Sequence, residues 1–378
     1  MLNTVDFSAA NKRNKHLSLL ALVCLLLLST PRVTAEGRPF LSRVHDLDTL
    51  TSTVPANGDV NPYGVAIVPI TTGALVAHNV LVSNFNNSAN LQGTGITIVQ
   101  ISPAGVPSLF AQITAASLPD SCPGGVGLTT ALVALRAGFV IVGSLPTTDG
   151  SAATAQAGCL IILNSSGKAI ATLSGNGING PWDMTAVDMD TTAILFVTNV
   201  LNGTVAANGA VVSMGSVLRI GLTTPMGGTP TATSFTTIAS AFDERTDPAA
   251  LVIGPTGVAL ADDGTLFVAD TVQSRIAAIP NALDRTDDAG AGVTVARGRA
   301  LKGPLGLALA PNGDILTVNA DDGLLVETTP AGQQTGARFV DVSHSRNGAG
   351  TLFGLAVSPE GTSVYLVNDG NNTLNILQ

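Results

Sequence analysis

Four histidines, three cysteines and 26 acidic residues are the chemically versatile side chains of this 378-residue chain, and their spacing removes most of the chemistry they could do. No two of His16, His45, His78 and His344 stand at the separations by which protein ligands share a transition metal. No Gly-x-Ser-x-Gly step occurs, so the sharp turn that exposes a hydrolase serine is missing. Cys24 lies in an apolar N-terminal run, which leaves Cys122 and Cys159 either as a disulfide pair or as two buried thiols. What remains is oxygen chemistry. Asn84, Ser144, Asn199, Asp270, Asn319 and Asn368 recur at one position of a repeated pattern, and Asp183 adds a carboxylate where that pattern elsewhere carries glycine. Such donors suit a hard divalent cation such as calcium, or a small polar ligand, provided that they converge.

Convergence depends on the elements that carry them, and these come from a repeat. A Pro-x-Gly step leading into an apolar strand is matched six times, at NPYGVAIV from Asn61, CPGGVGLT from Cys122, GPWDMTAV from Gly180, GPTGVALA from Gly254, GPLGLALA from Gly303 and TLFGLAVS from Thr351. The aligned positions 64, 125, 183, 257, 306 and 354 are 61, 58, 74, 49 and 48 residues apart, so the first three units carry insertions. Units of this length, each holding four strands, are propeller blades. The fourth unit is clearest: strand a over Gly257 to Ala261, an Asp262-Asp263-Gly264 hairpin turn, strand b over Leu266 to Ala269 and strand c over Arg275 to Ile279. Third strands fall at Thr97 to Ile101, Cys159 to Leu163, Val217 to Ile220, Leu324 to Thr328 and Thr373 to Leu377; fourth strands fall at Ser108 to Ile113, Lys168 to Leu173, Ser234 to Ile238, Val293 to Ala296 and Ala337 to Val342. The sixth unit has no fourth strand of its own, and Phe40 to Asp48 has no hairpin partner. The expectation is an all-β, six-bladed propeller over residues 36–378, closed by that N-terminal segment, because an open ring would expose two strand edges.

Composition agrees. With 41 Gly, 20 Pro and 4% aromatic residues, short strands and tight turns are favoured over helices. Residues 1–35 read as a secretory leader: Lys12, Arg13 and Lys15 precede the apolar Leu17 to Leu28, and Val33-Thr34-Ala35 supplies small residues for cleavage. That run is too short to span a bilayer, so a periplasmic or secreted protein without a membrane anchor is expected. Without the leader, 13 basic residues face 25 acidic ones. A surface so acidic, with no basic stripe, argues against a nucleic-acid partner.

The stretch GVALADDGTLFVADTVQSRIAAI, Gly257 to Ile279, resembles the NHL repeat, including Asp-Thr-x-x-x-Arg-Ile after strand b, and Val367 to Leu377 is a weaker copy. The resemblance implies the fold, and a wider superfamily of protein-binding scaffolds, metal-dependent lactonases similar to gluconolactonase, and histidine-using lyases. In the lactonases, metal-binding Asn or Asp side chains stand just before the glycine opening strand a. The aligned positions here hold Tyr63, Gly124, Trp182, Thr256, Leu305 and Phe353, none of them a carboxylate or amide. Two functions are therefore carried forward. One is a noncatalytic scaffold that binds a protein or small ligand; the other is a divergent metal-dependent hydrolase or lactonase that uses Asp183 with some of the ring residues. Several features read two ways. The ring residues would bind a ligand or latch the turns that follow strand b; Tyr63 and Trp182 would line an entrance or pack in the core. The long segments after strand b, Phe85 to Gly95, Leu145 to Gly158 and Val200 to Gly215, would wall a binding site or be inert.

Overall fold

The computed structural model describes residues 38–343 and 350–378; the leader read over residues 1–35, and His344, lie outside the described residues. Six antiparallel sheets follow one another along the chain, each with its first strand innermost. Blade one is Val60–Ile67, Val80–Asn86, Thr97–Ile101 and Pro107–Gln112; blade two is Leu128–Ala134, Val140–Ser144, Cys159–Leu163 and Ala169–Leu173. Blade four is Pro255–Leu260, Leu266–Asp270, Arg275–Ile279 and Val293–Arg297; blade five is Pro304–Leu309, Ile315–Asn319, Leu324–Thr328 and Gln334–Phe339. The second and third strands, such as Val140–Ser144 and Cys159–Leu163, are buried on both faces because blades stack face to face. That is why they read as unbroken aliphatic runs rather than as alternating ones.

Blade six is Leu352–Val357, Val364–Asn368 and Thr373–Leu377, completed by Leu47–Ser52 from the N-terminal side of the chain. Closure is as expected, but the closing strand begins seven residues later than Phe40. The reason is that Phe40–Ser42 forms a 3₁₀ turn whose Phe40 and Leu41, with Val44, are buried against Leu316, Val318, Leu366 and Leu377. Fully buried Glu327 of blade five fixes this turn, accepting the amides of Phe40 at 2.5 Å and Leu41 at 2.8 Å.

Blades two and three depart from the expected repeat. In blade two the inner strand starts at Leu128, and one extra residue lies between its pairs Leu128–Ser144 and Leu132–Val142, relative to Pro255–Asp270 and Val258–Val268 in blade four. Ala131, and not Gly125, therefore occupies the repeat's glycine position, and Thr130, and not Gly124, precedes it. Cys122 to Gly127 is instead a loop, tied to strand c by the Cys122–Cys159 disulfide with Cα atoms 5.4 Å apart. Blade three is Pro181–Asp188, Thr192–Asn199, Val212–Thr223 and Thr231–Asp247, with a fifth short strand Leu251–Ile253. The expected fourth strand, Ser234 to Ile238, is only the middle of a 17-residue strand. Its far end turns back at Pro248 to form an arm, paired as Arg245–Ile253, Thr246–Val252 and Asp247–Leu251.

The repeat glycine is required by close approach. A Cβ at Gly257 would stand 2.3 Å from the Leu305 carbonyl, and one at Gly354 would stand 2.2 Å from that of Tyr63. Neighbouring inner strands thus run nearly in backbone contact around the axis.

Candidate functional site

The face that holds the segments before strand a and after strand b is here called the top. At this end of the axis the side chains preceding the repeat glycines are Tyr63, Thr130, Trp182, Thr256, Leu305 and Phe353. Tyr63 stacks on Phe353 at 3.8 Å between ring centroids and on Phe85 at 4.5 Å, with planes within 18°, and Trp182 lies 6.4 Å from Phe353. The blade-three arm crosses above them, and Ala250, Leu251, Val252 and Ile253 join their core. Polar ties fix it: the Trp182 indole N–H donates to the Val252 carbonyl at 3.0 Å, and the Gln92 amide donates to that of Pro248 at 2.8 Å. Burial, and then the Asp369 charge, push the Tyr63 phenol well above its ordinary range, so it stays a donor, directed at the Ala249 carbonyl. Trp182 and Tyr63 are 3% and 2% exposed, which places both in the core and not at an open entrance.

This top centre does not fit a divalent cation. Its side chains are aromatic and aliphatic apart from two threonines, and Thr256 is already engaged with Ala269, Thr271 and Leu305. Among the described residues no three His, Cys, Asp or Glu gather as a metal site.

The polar ring residues are all buried, and each is hydrogen-bonded to another protein group. Asn84 donates to the Thr53 carbonyl, Ser144 to that of Gly125, and Asn319 to that of Ala300. Asn199 accepts the Asn179 amide, Asn368 donates to Asp341, and Asp270 pairs with Arg275 across the turn at 2.7 Å. Five of the six tie down the segment that leads into their blade, Asp270 holds the turn after strand b, and the structure does not bring these side chains together with Asp183.

Asp183 lies lower, on the wall of a channel of about 390 Å³ that the six inner strands form below the apolar centre. One carboxylate oxygen accepts the Met184 amide at 2.8 Å and the other accepts the Val258 amide at 3.2 Å, so the side chain bridges blades three and four. Channel burial drives the carboxyl up to about 7 against the opposing pull of these two amides. Asp188 is the other carboxylate in the channel lining.

The open space on the top face lies beside the arm. A cleft of about 350 Å³ is walled by Arg245, Asp247 and Ile253 of the arm, by Thr271 and Ser274 of blade four, and by Asp321 of blade five, over a floor that includes Leu305 and Phe353. Its volume is within the range of small-molecule sites, and a mostly apolar floor with few polar groups is their usual composition. Arg245 is already paired with Asp247 at 3.0 Å. Burial, then the charges of Asp322 and Asp247, raise the Asp321 carboxyl. A second cleft, of about 480 Å³, lies on the other side of the arm tip against Asn86, Gln92 and Asp369. The long loops of blades one and two pack on each other, with the Thr147 hydroxyl donating to the Gln92 carbonyl and the Thr147 amide to that of Gly93. They form a continuous wall on this face.

The arm was not legible from the repeat. Its one signal is the 74-residue spacing between positions 183 and 257, the longest in the chain, which contains the charged Asp243-Glu244-Arg245-Thr246-Asp247. Glu244 is fully buried beneath it: the carboxylate accepts the Asn202 amide at 2.8 Å, and burial raises it to about 7.

No protein-family model and no curated protein matches the chain. Solved structures do. A gluconolactonase from Xanthomonas campestris superposes with a TM-score of 0.54 at 14% identity, over 89% of this chain and 90% of that one. Virginiamycin B lyase from Staphylococcus aureus gives 0.52 at 12% identity, over 88% and 99%. The PQQ-bound aldose sugar dehydrogenase of Streptomyces coelicolor gives 0.52 at 16% identity, over 88% and 98%. The propeller fold is shared with these structures, and at such identities the likeness is one of fold alone.

Proposed function

We propose that this chain is an exported NHL-type propeller that binds its ligand without transforming it, and that the ligand sits in the top-face cleft beside the blade-three arm. The observation that carries this reading is the filling of the axis. Where an axial cation would need converging oxygens, Tyr63, Trp182, Leu305 and Phe353 pack under Ala250–Ile253. The cleft left open beside them presents Asp321 above an apolar floor, and among the described residues no histidine lines it to activate the hydroxyls of Thr271 and Ser274. Its complement is a small molecule, or a protein segment, that offers an amine or hydroxyl donor to Asp321.

The test is calorimetry on residues 36–378 with a panel of monoamines and amino sugars. Binding that Asp321→Asn weakens by about tenfold supports the reading. Calcium-dependent hydrolysis of gluconolactone above background would overturn it in favour of a lactonase.

A cation reading attaches to Asp183, whose carboxyl is held near neutrality in the channel with no cationic side chain hydrogen-bonded to it. Calcium or magnesium titrated calorimetrically should then give heat that Asp183→Asn abolishes. No heat with the unaltered protein leaves Asp183 as the tie between blades three and four.

A further inference from the structure

Beneath the arm, between blades one, two and three, a small void of roughly 10 Å³ is lined by Tyr63, Phe85, Thr129, Thr130, Leu145, Trp182 and Ala250. It is at the lower limit for a single water molecule. Yet its wall carries two hydroxyls, of Thr129 and Thr130, that are buried at 3% exposure and have no hydrogen-bond partner. A native interior leaves few buried polar atoms unpaired. These two are neighbours in the extra-residue bulge of blade two, and the other walls of the void are Tyr63, Phe85, Leu145, Trp182 and Ala250.

The roof is the arm. It is a hairpin of three residue pairs whose tip is undercut by the two top-face clefts. Ala241 and Leu251, at its base and just past its tip, sit at φ +60° and +62°, a left-handed conformation that side chains with a Cβ rarely adopt. Its hold on the axis includes backbone carbonyls: those of Pro248, Ala249 and Val252 accept from Gln92, Tyr63 and Trp182. Removing those carbonyls would free two further donors, the Tyr63 phenol and the Trp182 indole, at the edge of the same space.

We infer that the Arg245–Ile253 arm is a lid over an axial subsite for a small planar aromatic molecule bearing one or two hydrogen-bonding groups on its edge, such as a phenol. The ring would enter the aromatic stack in place of Ala250, and its polar edge would meet the Thr129 and Thr130 hydroxyls. A puckered, polyhydroxylated ring would bring more polar groups than the unpaired partners there can satisfy. The inference rests on the reading that the top face binds ligands, and assigns the subsite continuous with the cleft.

Trp182 is the chain's one tryptophan, so its emission reports the lid directly. Phenol titrated into residues 36–378 should change Trp182 emission saturably, whereas cyclohexanol, of similar size but puckered, should not. Thr129→Val with Thr130→Val removes only unpartnered hydroxyls, so the melting temperature should hold while phenol affinity falls about three- to tenfold. Absence of a saturable change, equal response to cyclohexanol, or phenol affinity unmoved by the double substitution would overturn the subsite. If amines still bind through Asp321 in that event, the cleft reading stands and only the lid falls.

Discussion

The two halves of the ring are built to different rules. Blades four, five and six follow one another at 49 and 48 residues, and their inner strands meet at Gly257, Gly306 and Gly354, where a Cβ would lie 2.3 Å or less from a neighbouring backbone carbonyl. Blades one, two and three carry the insertions. At the equivalent glycine position two of them hold Ala131 and Asp183, and the disulfide, the interlocked loops and the arm all belong to this half. The short half shows what the repeat enforces, which is backbone closeness around the axis. The long half shows what happens when that constraint is relaxed: Ala131 and Asp183 stand where the repeat has glycine, and loops acquire contacts with each other. The main cleft lies where the halves meet, with the arm of blade three on one side and the turns of blades four and five on the other.

The strongest challenge to this division is to open the ring, because closure serves both halves. Deleting residues 36–52 removes the strand paired with Thr373–Leu377 and the buried Phe40, Leu41 and Val44. The melting temperature should drop by on the order of 10 °C or more. An unchanged melting temperature would break the closure argument. Replacing Cys122 and Cys159 by alanine probes the long half alone. Freeing a 37-residue loop should cost about 4 kcal/mol in denaturant unfolding. Mass spectrometry of the unreduced protein should find no alkylatable thiol at either position.

The repeat glycines sharpen the contrast further. Gly257→Ala sets a Cβ against the backbone of blade five and should cost about 3 kcal/mol, whereas Asp183→Gly, which restores the repeat residue in the long half, should cost about 1 kcal/mol. Similar costs for both would mean that the halves obey one rule. The smallest effect is a pH dependence. Asp183, Glu244 and Asp369 are each raised to about 7, the first two chiefly by burial and Asp369 by burial and the Asp341 charge. Each folded carboxyl holds its proton more tightly than the unfolded one. Their stabilisation is therefore full below about pH 4 and is lost as pH rises through about 7. Melting should come a few degrees higher near pH 5 than near pH 8, and Asp183→Asn should flatten that slope.

Most of the ring was legible because the repeat speaks through glycine and aliphatic runs, and both report packing. Strands such as Cys159–Leu163 and Arg275–Ile279 match their expected bounds residue for residue. The Asp270–Arg275 pair joins two residues of one hairpin, which the Asp-Thr-x-x-x-Arg-Ile step brings within reach of each other. The failures share a cause. Gly125 resembles the repeat glycine in type, but an inserted bulge residue moves the register so that Ala131 takes its place. The ring of Asn and Asp recurs at equivalent positions, yet equivalence along the chain did not choose between a ligand and a structural latch, and in the structure these side chains hydrogen-bond other protein groups. The arm departs from the repeat altogether, so a reading that looked for similarity passed over it.

The pairing that closes blade six has a temporal side. Thr49 and Asn375 meet although 326 positions separate them, and Glu327 waits for the amides of Phe40 and Leu41 from 286 or 287 positions away. During synthesis those early residues have no partner until nearly all the described chain has been made. Blades can form one at a time from local hairpins, but the ring can close only as a late step, and its rate must carry the entropy of the largest loop in the molecule. A chain interrupted before Thr373 would keep both edges open and remain recognisable, to any protease or chaperone that reads unpaired strands, as unfinished.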